Sequence, residues 1–176
     1  MLTIEVNKMN SANFNQFLCR DVSDNGENIT GIFDTLVCEK GTNSIHICVL
    51  LTQILSDSSS NYDKYYYRII LRQFGNSRED MKNYRVDSGI FWEEEYKEVS
   101  PADETKRSKH KTTRPGSSGK LVIEYEHEFE VQGSHEVDLY VKKLEGTETQ
   151  EDCEKLRVKD LELVSICPFN VIFQNN

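Results

Sequence analysis

No run of apolar residues in this 176-residue sequence approaches the roughly 20 that a membrane helix requires, and residues 1–20 lack the charged start and apolar core of an export signal. The expectation is a cytoplasmic protein with no membrane partner. Cysteine gives no framework: Cys19, Cys38, Cys48, Cys153 and Cys167 are an odd set without a C-x-x-C pair, which fits reduced thiols better than disulfides. Cys48 and Cys167 lie in apolar runs and read as small core hydrophobes. The sequon Asn28-Ile29-Thr30 is then a chance match. Neither G-x-x-x-x-G-K-[ST] nor G-x-G-x-x-G occurs, which excludes nucleotide hydrolysis through either phosphate cradle. Gly116-Ser117-Ser118-Gly119 lacks the spacing of a nucleophile elbow and reads as linker. Bases are scarce: 21 Lys and Arg face 30 Asp and Glu, for a net charge of −9, and an excess of acid opposes direct contact with nucleic-acid phosphates.

What the sequence does contain is alternation. From Leu121 to Val131, Leu121, Ile123, Tyr125, His127, Phe129 and Val131 share one face while Glu124, Glu126, Glu128 and Glu130 share the other, which dictates a half-buried strand. Between Ser44 and Thr52, Ile45, Ile47, Val49 and Leu51 alternate with His46, Cys48 and Leu50, and a strand apolar on both faces belongs in the middle of a sheet. Lys64–Phe74 alternates Tyr65, Tyr67, Ile69 and Leu71 with Tyr66, Arg68, Ile70 and Arg72. Weaker strands are expected over Asn15–Val22 and Glu27–Val37, joined as a hairpin through Asp24-Asn25-Gly26, because Asn and Gly tolerate positive φ. Gly133 and Ser134 are expected to turn the Leu121–Val131 strand into His135–Leu144, where Val137, Leu139 and Val141 again alternate, as a second antiparallel pair. Leu161–Phe173 is apolar and β-rich, but Pro168 removes a ladder donor, so this strand is expected at an edge or broken by a bulge.

One stretch is helical in pattern: Thr149-x-x-Asp152 is a capping-box variant within Thr147–Lys159 and predicts a short surface helix. Residues 93–119 are nearly devoid of apolar side chains, acidic in the first half and basic from Lys106 to Arg114, and read as a long charged loop inserted into one domain spanning 1–176. Strands joined by turns, with one short helix, predict an all-β fold: an antiparallel two-sheet sandwich, immunoglobulin-like. The Cys–Trp–Cys core of antibody domains is absent, since the single Trp92 lies at the mouth of the loop.

Catalytic machinery is not apparent, so no cofactor is expected. The histidines His46, His110, His127 and His135 are not at helical ligand spacing, and His127 points inward with Leu121 and Phe129 as a core residue. Asp57, Asn61 and Asp63 offer oxygens at positions of a calcium loop, but Tyr62 replaces the glycine and Arg68 the bidentate glutamate. A calcium- or lipid-binding sandwich using that loop is the alternative reading, and an acidic mimic of nucleic acid using the glutamate row is another. The first reading is a non-enzymatic interaction module of a bacterial or phage system, with another protein as partner, or a second copy in a homodimer. Its expected binding residues are Tyr66, read as exposed, with Arg68, Arg72 and Trp92, a composition that interface hot spots favour.

The segment Phe17–Leu36, with Cys19-Arg20-Asp21-Val22 and Gly31-Ile32-Phe33-Asp34, resembles the opening motif of an uncharacterised family of bacterial intracellular proteins. Phe129–Val141 resembles that family's penultimate hairpin and Pro168-Phe169-Asn170-Val171 its final strand. The resemblance covers about a third of the chain and implies an intracellular sandwich with no established activity.

Overall fold

A computed structural model of the chain describes residues 11–23, 28–54, 63–75, 80–91, 110–112 and 118–174. In these residues the alternating segments become ten strands, β1 (Ser11–Val22), β2 (Ile29–Ile32), β3 (Thr35–Cys38), β4 (Gly41–Ile54), β5 (Tyr65–Gln73), β6 (Lys82–Phe91), β7 (His110–Thr112), β8 (Ser118–Phe129), β9 (Gly133–Lys143) and β10 (Glu162–Phe173), and one helix, α1 (Gln150–Glu154). They form two five-stranded sheets, ordered β2-β1-β4-β8-β7 and β3-β10-β9-β5-β6. The inner faces interdigitate through Leu18, Ile45, Ile47, Val49, Leu51, Leu121, Ile123 and Phe129 from the first sheet and Tyr67, Ile69, Leu71, Val137, Leu139, Val141, Phe169 and Val171 from the second. With β1, β4, β8 and β7 as strands A, B, E and D, and β5, β9 and β10 as C, F and G, the order is that of an immunoglobulin-like sandwich.

Three departures from the expected layout have local causes. The segment expected as one strand over 27–37 is two, β2 in the first sheet and β3 in the second. Gly31, at φ +65°, turns the chain where a side chain would be strained, and the Phe33 and Asp34 backbone bridges the sheets: the Phe33 N–H donates to the Leu18 carbonyl (3.2 Å) and the Asn170 N–H to the Asp34 carbonyl (2.8 Å). Because the chain crosses over there rather than reversing, β3 lies parallel to β10 while the other pairs are antiparallel. The second departure is β6, whose polar sequence hides its pattern; Gly89 serves it because a Cβ there would meet the Tyr67 ring and hydroxyl at 3.0–3.2 Å. The third is β7, which lies inside the expected 93–119 loop and pairs with the start of β8; the rest of that loop lies outside the described residues, except 118–119, where β8 begins.

A fourth expectation fails: β8 and β9 do not pair across Gly133 and Ser134, because β8 lies in the first sheet and β9 in the second, so the chain crosses between sheets there, and Val131, expected on the buried face, is exposed. β4 is central between β1 and β8, and the β1–β2 hairpin registers Asp21 with Thr30 and Val22 with Ile29, although its Asp24-Asn25-Gly26 turn lies outside the described residues. Along β8, Glu124, Glu126 and Glu128 are exposed, as is Glu130 just beyond it, while Leu121, Ile123, His127 and Phe129 are buried. Pro168 sits where β10 has no outer neighbour among the described residues, since β3 pairs with residues 170–173, and the bulge of β10 lies between Leu163 and Ser165 rather than at Pro168.

His127 and His135 both enter the interior at one end of the sandwich. His127 packs against Tyr84 (4.5 Å between centroids) and Phe129 (4.8 Å), and His135 against Phe129 (5.5 Å) and Phe169 (5.4 Å). Burial pushes both imidazoles below their ordinary value, and the neighbouring His135 lowers His127 further. The unfolded chain, with histidines near 6.5, therefore takes up protons before the folded one as the pH falls. Stability is complete above that value and is lost progressively as pH drops from about 6.5 toward the folded values. Urea midpoints measured between pH 7.5 and 5 are expected to fall. A His127→Phe/His135→Phe variant should lose most of that slope, and an equal slope in both proteins would exclude the two histidines as its source.

Candidate interaction surface on the second sheet

Alternation puts Tyr66, Arg68, Ile70 and Arg72 of β5 on the outer face of the second sheet, beside Glu136, Asp138, Tyr140 and Lys142 of β9. Half of that face is covered by the chain itself. After β9, α1 begins at Thr149, whose hydroxyl accepts the Asp152 N–H while the Asp152 carboxylate accepts the Thr149 N–H, the capping box expected from sequence. A 3₁₀ turn at Val158–Asp160 follows, and Cys153 and Leu161, with Leu144, Leu156 and Val158 beside them, pack over Tyr66, Ile70 and Tyr140 as a second, smaller core. Arg85 and Ser88 of β6 hold Glu154 from the other side.

This cover corrects the expected exposure of Tyr66, whose side chain is fully buried. Arg68, at 6% exposure, is buried with it. Its guanidinium donates from Nε and Nη2 to the Tyr66 hydroxyl (3.1 and 2.9 Å), from Nη2 to the Cys153 and Glu154 carbonyls (3.1 and 3.2 Å), and from Nη1 to the Leu156 carbonyl (2.8 Å). It occupies the C-terminus of α1, where unpaired carbonyls and the negative end of the helix favour a cation. Arg68 is therefore a bolt between sheet and cover. Of the other expected sites, Trp92, Asp57 and Asn61 lie outside the described residues, and Asp63 forms an ion pair with Lys143 at 2.9 Å. Among the described residues no group of three or more His, Cys, Asp or Glu side chains could hold a metal ion, and no helix is long and apolar enough to cross a membrane.

The other half of the face is open. Arg72 of β5 reaches Asp138 (2.6 Å from Nε to Oδ2) and lies 3.8 Å from Glu136. The Nε contact is ionic rather than an aligned hydrogen bond. Nη2 of Arg72 donates to the Tyr140 hydroxyl, which donates to Asp138 Oδ2 at 3.1 Å. Asp138 is 1% exposed, whereas Arg72 and Glu136 each keep 23%. Burial, with the adjacent Asp138 carboxylate, raises Glu136 above the usual carboxylate value against the pull of Arg72.

Flanking this cluster is a row the sequence reading passed over. The register sets Leu163 opposite Tyr140, Ile166 opposite Asp138, and Val37 of β3 beside Ile172, so all four share the outer face. They are 43%, 50%, 39% and 47% exposed, in the order Leu163, Ile166, Val37, Ile172, and Pro168 between them is also exposed. From Ile166 to Ile172 the row runs about 20 Å along the strand. The signal was present: β10 is apolar at both parities, and a strand covered on one face only should not be.

No protein-family model and no curated protein matches the chain. Among solved structures, a beta-glucosidase from Listeria innocua in complex with isofagomine superposes at a TM-score of 0.42 with 13% identity, over 91% of this chain and 16% of that one. The chain thus spans about a sixth of that protein's length.

Proposed function

We propose that the chain is a non-enzymatic protein-interaction module that presents the open half of its second sheet to another protein. The observation that carries the reading is the exposed row Leu163, Ile166, Pro168, Ile172 and Val37, bordered by the Arg72–Glu136–Asp138 cluster. An apolar strip rimmed by polar groups on a folded surface is the arrangement that association buries, and an arginine already held in place by carboxylates loses little freedom on contact. Arg72 keeps the binding role expected of it; Tyr66 and Arg68 support the face from beneath the cover.

Ile166→Glu with Ile172→Glu is expected to weaken binding at least ~10-fold while leaving the melting temperature nearly unchanged, since both side chains are half exposed. Affinity capture with wild-type and variant baits, alongside sedimentation velocity of each, checks this. A captured protein or a self-association that disappears with the double substitution supports the reading. Equal recovery by both baits, or nothing above a blank, removes it.

A further inference from the structure

Cys19 of β1 registers with His46 on β4, and Cys48 of β4 registers with Phe17 on β1, so the two cysteines are diagonal neighbours across adjacent antiparallel strands. Both lie on the parity opposite to Leu18, Ile47 and Val49, which face the core, and both are nonetheless fully buried. Their sulfurs are 3.4 Å apart, close enough for one thiol to donate to the other. The remaining cysteines, Cys38, Cys153 and Cys167, sit on β3, α1 and β10, in the other sheet and its cover.

We propose that Cys19 and Cys48 are a modification site, a thiol pair that a hydroperoxide converts to a reversible cross-strand disulfide. The sulfurs need to close by about 1.4 Å to reach a bond of about 2.05 Å, a shift within reach of side-chain rotation and a small slide of two strands. Diagonal partners stand farther apart in Cα than most disulfides tolerate, so the bond is strained and readily reduced, the property of a switchable rather than a structural disulfide.

The chemistry balances in two steps. The Cys19 thiolate attacks the peroxide, breaking its O–O bond, so that one oxygen becomes a sulfenic acid on Cys19 and the other leaves as water or alcohol. The Cys48 thiol then displaces the sulfenic hydroxyl as a second water and the S–S bond forms, two electrons having passed from the two sulfurs to the peroxide. Cys19 is assigned the attacking role because, although burial raises both thiols, the hydrogen bond from Cys48 favours its thiolate, whereas burial and the Cys19 partner together push Cys48 far above the ordinary thiol value. Burial also makes the reaction slow, waiting on local opening of the sheet. The bond would close the loop from residue 19 to residue 48, which carries β2 and β3.

The experiment exposes the folded, reduced protein to hydrogen peroxide until Met81, 36% exposed, has become sulfoxide, then quenches, unfolds, alkylates and maps the peptides. The expected result is three alkylated cysteines, a Cys19–Cys48 cross-linked peptide pair, and recovery of all five thiols with a dithiol reductant. Cys19→Ser should leave all four remaining thiols alkylatable, whereas Cys48→Ser should give no cross-link, with Cys38, Cys153 and Cys167 alkylatable and Cys19 held as sulfenic or sulfinic acid. In the oxidised wild type, five alkylatable thiols, cross-links through Cys38, Cys153 or Cys167, or sulfinic acid at Cys19 without linkage would each overturn the proposal. Should a serine variant fail to fold, the wild-type peptide map decides alone.

Discussion

Arg68→Ala is expected to lower the unfolding free energy by about 3 kcal/mol, more than a surface arginine on a strand would ordinarily command. A hydrogen bond to a charged donor contributes about 1.5–3 kcal/mol, and a buried acceptor left unpaired costs about 1–3 kcal/mol. Arg68 serves the Tyr66 hydroxyl and three carbonyls, of Cys153, Glu154 and Leu156, and its charge centre lies 5.5 Å from the Tyr66 ring centroid. These contributions do not add, because the carbonyls sit in a cover that can lift and find water, which caps the loss well below the sum. The same argument predicts where the damage falls: the α1 segment undocks before the sandwich melts. Native-state labelling of Cys153, 1% exposed in the intact cover, should accelerate far more than the shift in urea midpoint alone accounts for. Arg68→Lys is expected to restore less than half of the loss, since a single ammonium cannot span the hydroxyl and three carbonyls that a planar fork reaches. Labelling of Cys153 that merely tracks global stability would show that the cover and the sheet open together and that Arg68 is not the bolt between them.

That bolt marks the boundary of what period-two alternation can convey. The segregation of Ile45, Ile47, Val49 and Leu51 from their neighbours, and of the β8 glutamates from Leu121, Ile123 and Phe129, placed the strands and the inner core, because a sandwich needs one continuous apolar face per sheet. Tyr66 and Arg68 were read as surface by the same rule, and the rule failed there because the outer face of β5 is covered by residues 144–161, some 80 positions away in the chain. Nothing local to Tyr65-Tyr66-Tyr67 records that distant cover. The one trace of it lay in the covering segment itself, where Cys153 of α1 and Leu156 and Leu161 just beyond it are too apolar for a surface stretch with no partner. Splitting 27–37 between sheets was equally hidden: Gly31 signals a turn, but only the β10 edge decides that the chain crosses over rather than back. The exposed row on β10 was legible in principle, since its apolar residues occupy both parities, yet the bulge between Leu163 and Ser165 shifts the faces by one residue and scrambles the alternation that would have revealed it.

Asp138→Ala is expected to cost about 2–3 kcal/mol, and Asp138→Leu combined with Arg72→Leu much less than the sum of the two single changes. Removing one member of a buried ion pair leaves the other charge without compensation, a loss of about 3–5 kcal/mol in fully enclosed sites, whereas replacing both with apolar groups can be nearly neutral. Here the carboxylate is enclosed, at 1% exposure, while the guanidinium keeps 23%, so solvent screens part of the loss and the figure falls below the fully buried range. Glu136 offers Arg72 a second partner at 3.8 Å, but only weakly, and the Tyr140 hydroxyl loses the acceptor it now has. A double-mutant cycle in urea therefore separates two roles for the cluster. A coupling energy near 2 kcal/mol, with the double leucine variant still folded but unable to retain a partner captured by the wild type, assigns the pair to recognition on a face whose stability does not depend on it. A double variant as unstable as Asp138→Ala would instead make the cluster a structural clamp and leave the Leu163–Ile172 row to bind without it.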